Sequence, residues 1–144
     1  MRGIFLLALC ALSLSCKKEG EVPVATAPKS PAFQMYKMSE MALLMEQMYV
    51  DNSRIKEAIL ADEAVADSLP AHYLRLLGAT MTDPTDRDLF FNTQAELFLK
   101  AQRLVYEEPT QRKEHFNAMV ESCIACHQVK CGGPIERIKK LLIP

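Results

Sequence analysis

The sequence predicts an all-α protein, an antiparallel bundle of four helices. Apolar residues recur at spacings of three and four over long stretches, which is the period of a helix face. No stretch alternates apolar and polar as a strand does, and no repeat or glycine-rich phosphate loop interrupts the pattern. The composition agrees: 49% hydrophobic residues, five glycines and no tryptophan in 144 residues. With 17 basic against 18 acidic residues, no field is strong enough to suggest a nucleic-acid partner.

Residues 1–15 read as an export signal. Arg2 supplies a positive charge, and the apolar run Ile4 to Leu12 is too short to remain as a membrane span. Ser13-Leu14-Ser15-Cys16, followed at once by Lys17-Lys18-Glu19, resembles the lipobox of bacterial lipoproteins. That resemblance implies lipidation of Cys16, where two or three acyl chains make a stable anchor and one does not. Ser13 stands where the pattern prefers leucine, so an ordinary cleaved signal with an incidental cysteine is the alternative. Cys10 leaves with the signal. Residues 16–31, rich in Pro, Ala, Lys, Glu and Ser, are expected to be a flexible tether that buries too little apolar surface to fold. One domain, 32–144, remains. It would sit lipid-anchored on the periplasmic side of a bacterial membrane.

The first helix is expected from about Ala32 to Ala61. Met38, Met41, Met45, Met48, Asn52, Ile55 and Ile59 alternate spacings of three and four, as the seam of a bundle helix does. Ser39, Glu40, Glu46, Asp51, Arg54 and Lys56 fall off that seam. A shorter second helix, about Pro70 to Thr80, has Pro70 at its first position and Ser68 as a cap. Tyr73, Leu74, Leu76 and Leu77 supply its buried side, and Gly78 weakens its end. Residues 81–86 form a turn cluster. The third helix, about Asp86 to Glu107, carries Leu89, Phe90, Leu97, Ala101 and Leu104 on one side, and Pro109 ends it. A fourth opens at Thr110 or Gln111 and breaks near Gly132-Gly133-Pro134. Ile135, Ile138, Leu141 and Leu142 then fold back on the bundle.

Late in the fourth helix stands Cys123-Ile124-Ala125-Cys126-His127, the pattern by which a c-type haem is attached. Two thiols add across the two porphyrin vinyl groups, and the adjoining imidazole offers a nitrogen to iron as proximal ligand. On a helix, Cys123, Cys126 and His127 share one face. Phe116, Met119, Val120 and Cys123 draw an apolar stripe that runs into the motif. One covalent haem c is therefore the expected cofactor.

Four helices with this motif late in the last one resemble the cytochrome c′ and low-spin cytochrome c-556 family over residues 32–144. Ser39-Glu40-Met41-Ala42-Leu43-Leu44-Met45 and Cys131-Gly132-Gly133-Pro134-Ile135-Glu136-Arg137 also look like a lipoprotein branch of haem-binding proteins from Bacteroidota. The resemblance implies haem in the bundle core with its far face against the first helix. Low-spin members place a methionine there as sixth ligand, and counting back from the helix end near Ile59 reaches Met45. Met41 and Met48 lie about one turn away on the same seam. A methionine stripe is also ordinary core packing, and at most one of the four can bind iron. The implied role is one-electron transfer without substrate chemistry, with redox proteins and the membrane as partners and a homodimer as an open alternative to a monomer. A five-coordinate gas-binding protein of the c′ type is the rival reading.

Other residues are weighed beside these. His72 and His115 are expected to be solvated. Cys131, four after His127, is expected to pack near the haem edge, with a redox or metal role as the alternative. Lys130, Arg137, Lys139 and Lys140 could dock an acidic redox partner, against the plainer reading of a solvated face. Two further classes compete: zinc on Cys123, Cys126, His127 and Cys131, and an interaction module that uses Cys123 and Cys126 as a disulfide.

Overall fold

The first long helix does not begin until Glu40. In the computed structural model, which describes residues 37–144, α1 spans Glu40–Leu60. Ser39 is its N-cap: the hydroxyl oxygen accepts from the Ala42 amide at 3.1 Å, satisfying a donor that helix geometry leaves orphaned. Glu40 follows in the first turn, where an acidic side chain meets the positive end of the helix dipole. The signal segment 1–15, the lipidation candidate Cys16, the tether 16–31 and the start placed at Ala32 lie outside the described residues.

The seam of α1 is largely as expected. Met41, Met48, Asn52 and Ile55 are buried together with Leu44, while Met45 and Ile59 are half-buried against the core. Asn52 is a polar residue in this apolar row, and its Oδ1 accepts from Gln102 Nε2 at 3.0 Å. Burial without that bond would be unfavourable, so the pair ties α1 to one register on its neighbour.

The second element departs from expectation. It is a seven-residue 3-10 helix, Ala71–Leu77, flanked by Pro70 and ended at Gly78, and Ser68 does not cap it. With three residues per turn, Tyr73 and Leu76 stack on one side and are buried, while Leu74 and Leu77 face solvent. A second 3-10 turn, Pro84–Asp86, lies in the expected turn cluster.

Helix α2, Leu89–Glu107, starts later than Asp86 because Asp88 caps it, accepting from the Phe91 amide at 2.8 Å. Its buried side is also not the one expected. Phe91, Ala95, Phe98, Leu99, Gln102, Val105 and Tyr106 face inward, while Leu89 is 83% and Leu97 51% exposed. The helix is apolar on more than one side, so its own periodicity underdetermines which side is covered.

A 3-10 turn at Pro109–Gln111 leads into α3, Arg112–Lys130. Phe116, Met119 and Val120 are fully buried, as their spacing predicted. The chain breaks at Gly132-Gly133-Pro134, and the short α4, Ile135–Lys139, brings Ile138 and Leu141 back into the core. Lys56 on α1 donates to the carbonyls of Lys140 and Leu142, and Asn117 on α3 both donates to and accepts from the Ile143 backbone.

The pairings set the directions. Lys130 at the end of α3 reaches Asp88 at the start of α2, so these neighbours run antiparallel. Met45 shares a hollow with Phe91, and Asn52 bonds Gln102 further along both helices, so α1 and α2 run the same way. The strut 71–77 runs back along α1, from His72 beside Asp51 toward Thr80, whose amide and hydroxyl both donate to Glu40. The described residues are all-α, without strands, and none of their helices is long and apolar enough to cross a membrane.

Candidate cofactor site

The five residues 123–127 lie wholly within α3, so the helical spacing holds through the motif. Cys123 is turned to the core, 3.9 Å from the Met119 sulfur. Burial pushes its thiol up to about 12, and burial raises Cys126 as well. Burial therefore favours the neutral thiol at both positions. Cys123, Cys126 and Cys131 are all free thiols.

Helix α3 ends at Lys130, three residues past the motif. Cys131 leaves the helix with φ −151° and ψ 85°, and His127 Nδ1 lies 2.8 Å from its carbonyl oxygen. A carbonyl only accepts, so Nδ1 carries the proton and donates. Nε2 is thereby left as the basic nitrogen, the arrangement that fixes the tautomer and ring plane of a metal-binding histidine. Cys131 does not share the helical face of His127, because the helix does not continue. Its thiol is exposed rather than packed, although it borders one hollow near the motif.

Three adjoining hollows, of about 250, 70 and 40 Å³, lie between α1 and the end of α3. Met45 and His127 line all three. Cys123 lines two and Cys126 two, so both thiols face this space. The remaining lining is mostly apolar, including Met48, Phe91, Phe98, Ile138 and Leu141. Met41 and Met48 are 7% and 5% exposed and belong to the core, whereas the half-buried Met45 is the seam methionine that borders every hollow. Neither His72 nor His115 lines this space. His72 is half-exposed: its ring lies 4.7 Å from that of Tyr73, with Nε2 2.8 Å from Asp51 Oδ2.

Charge is confined to the rim. Arg137 bonds both Glu46 oxygens, at 2.6 and 2.8 Å, and its guanidinium sits 3.8 Å from the Tyr49 ring centroid. That bond holds the Glu46 carboxyl below its usual range. Lys130 reaches Asp88 at 2.6 Å and Asp86 at 3.6 Å, which lowers the Asp88 carboxyl and raises the lysine. Lys139 pairs with Glu136 at 2.7 Å. Three of the four basic residues considered for docking an acidic partner are thus neutralised within the chain.

Sequence reasoning missed the lining roles of Asn52, Tyr49 and Glu46. Only Asn52 carried a signal, as the polar residue in an apolar seam. No three His, Cys, Asp or Glu side chains among the described residues gather closely enough to hold a metal ion, which applies also to the zinc set of Cys123, Cys126, His127 and Cys131. The chain matches none of the known protein families, curated proteins or solved structures with which it was compared.

Proposed function

We propose that this chain is a lipid-anchored, monohaem c-type cytochrome that carries single electrons, an antiparallel helical bundle of the c′ and c-556 kind with haem between α1 and α3. The observation that carries the reading is His127. Its Nδ1 is committed to the Cys131 carbonyl, its other nitrogen is free, and its ring borders the same hollows as Cys123, Cys126 and Met45.

The donor set fits the group. Cys123 and Cys126, neutral thiols one helical turn apart, would each form a carbon–sulfur bond to a vinyl substituent, the thiol hydrogen passing to the neighbouring carbon. His127 and the Met45 thioether would hold the iron. Haem supplies an iron that gains and loses one electron, and a methionine ligand favours its ferrous state. The chain does the rest. Met48, Phe91 and Phe98 exclude water from the site, and the hydrogen bond to Cys131 keeps the His127 ring from turning. Arg137, paired with Glu46, lines one hollow, and Lys130, paired with Asp88 and Asp86, lines another.

Protein matured with a cytochrome c assembly system should be red, with a Soret band that survives acid-acetone extraction and the mass of one haem added. Cys123→Ala with Cys126→Ala should lose that covalent haem, and its retention would refute the assignment. Carbon monoxide added to the reduced protein reports the sixth position: ready binding by the native protein would turn the reading to a five-coordinate gas binder.

A further inference from the structure

Three buried polar atoms among the described residues lack a hydrogen-bond partner: His72 Nε2, Tyr73 Oη and Gln102 Oε1. All three lie in one region. Tyr73 and Gln102 have no exposed surface, and Tyr106 is 5% exposed. Gln102 and Tyr106 are one turn apart on α2 and so share a face. The Tyr73 and Tyr106 hydroxyls are near enough to perturb each other, and Gln102 perturbs Tyr106. His72 Nε2 lies 2.8 Å from Asp51 Oδ2 but off a hydrogen-bonding angle.

The cluster has two ends. On one side Asp51, Arg54, His72 and Tyr106 border a cleft of about 320 Å³ that opens to solvent. On the other, Gln102 donates to Asn52, which lines a hollow together with Cys123 and His127. A row of polar groups therefore runs from the surface to the candidate cofactor site through a core that is otherwise apolar. Buried polar groups are seldom left dry, and several unpartnered atoms in one polar pocket are where internal water is held. Burial raises both tyrosines above their ordinary titration, so they stay neutral hydroxyls.

We infer that this hydrated row makes reduction of the cytochrome proton-linked, with His72 as the group that takes up the proton. The inference rests on the cytochrome reading above. One electron arrives from a redox partner protein and one proton from solvent through the cleft. The electron makes the core site one unit more negative. A new N–H bond forms on the His72 ring as an O–H bond of hydronium breaks, and the redox partner is oxidised by one electron. Histidine is the side chain whose charge ordinarily changes between pH 5 and 8. The groups that face His72 are Asp51 and Arg54 on α1, Tyr106 on α2 and the adjacent Tyr73. Asp51 and Arg54 carry opposite charges, and the two tyrosines contribute neutral dipoles. The members of the row, Tyr73, Tyr106, Gln102 and Asn52, are uncharged side chains, which screen an added charge less than a counter-ion would.

The sign is fixed. Reduction favours protonated His72, so the midpoint potential falls as pH rises between the ring's titration in the oxidised protein and that in the reduced one. It is flat on either side. Within that window each tenfold fall in proton activity weakens reduction by up to tenfold, at most 59 mV for a one-electron couple.

The test is a redox titration of the haem-loaded full chain from pH 5 to 8, beside His72→Gln and Asp51→Asn. The native protein should show the sloping window, His72→Gln should lose it, and Asp51→Asn should shift it to lower pH. Proton NMR of the His72 ring in both oxidation states should give two different titration midpoints, the higher in the reduced form. A flat native profile, a slope that survives in His72→Gln, or one shared His72 midpoint would each overturn the inference. A chain that takes up no covalent haem would instead defeat the cytochrome reading, so the two failures are told apart.

Discussion

Removing the seam methionines one at a time separates a ligand from core packing. Met41 and Met48 are almost fully buried, so Met41→Ala and Met48→Ala should each cost about 2–5 kcal/mol, the lost transfer energy plus the cavity left behind. Even the lower figure raises the unfolded fraction by roughly 30-fold, at 1.4 kcal/mol per factor of ten. Met45 is half-buried and borders three hollows, so Met45→Ala removes fewer contacts and should cost less. Its effect should be spectroscopic. The oxidised native protein should be low-spin with a sulfur-to-iron charge-transfer band in the far red, and Met45→Ala should become high-spin and bind carbon monoxide readily. Its potential should fall as the ferrous-favouring ligand is lost. Met45→Leu keeps the volume, at a cost under about 1.5 kcal/mol, and should give the same spectral change, which isolates the sulfur. Denaturant titration read beside the visible spectrum checks the set. A spin-state change in Met41→Ala or Met48→Ala alone would misplace the ligand by a turn. If none of the variants changes a spectrum that is already high-spin, ligation by a methionine is refuted.

Asn52→Leu strands the Gln102 amide in the core and should cost about 1–3 kcal/mol, whereas adding Gln102→Leu should recover part of it; a thermal-melt double-mutant cycle reads the coupling. Asp88 both caps α2 and pairs with Lys130, which lowers its carboxyl, so it contributes stability above the ordinary carboxylate range that is lost as pH falls through its folded value. Asp88→Asn keeps a capping side chain without the charge, so its acid-unfolding midpoint should depend less on that titration, as a circular-dichroism pH series would show. Cys16→Ser should abolish lipid modification and free the protein from the membrane fraction, and an unmodified native Cys16 would refute the anchor.

The spacing of apolar residues fixed the helical class and the stripe Phe116, Met119, Val120, Cys123, because period and burial coincide where a helix has one apolar face. The Cys-x-x-Cys-His set was legible for a similar reason, since helix geometry alone aligns residues three and four apart. Other features needed the neighbours in space. Leu89 and Leu97 looked like core and are exposed, because α2 is apolar on more than one side and only its docking against α1 and α3 selects which side is covered. The second helix became a short 3-10 strut between Pro70 and Gly78, where Tyr73 and Leu76 are the residues its packing uses. Met41, Met45 and Met48 are chemically alike and share one seam, so sequence could nominate Met45 only through a resemblance. In the tertiary structure Met45 is half-buried and lines three hollows with His127, whereas the buried Met48 lines two and Met41 one. The same holds for Asn52 with Gln102 and for Glu46 with Arg137, pairs 50 and 91 residues apart. A local pattern records which face a residue occupies on its own element, and only the packing of elements in space decides what that face meets.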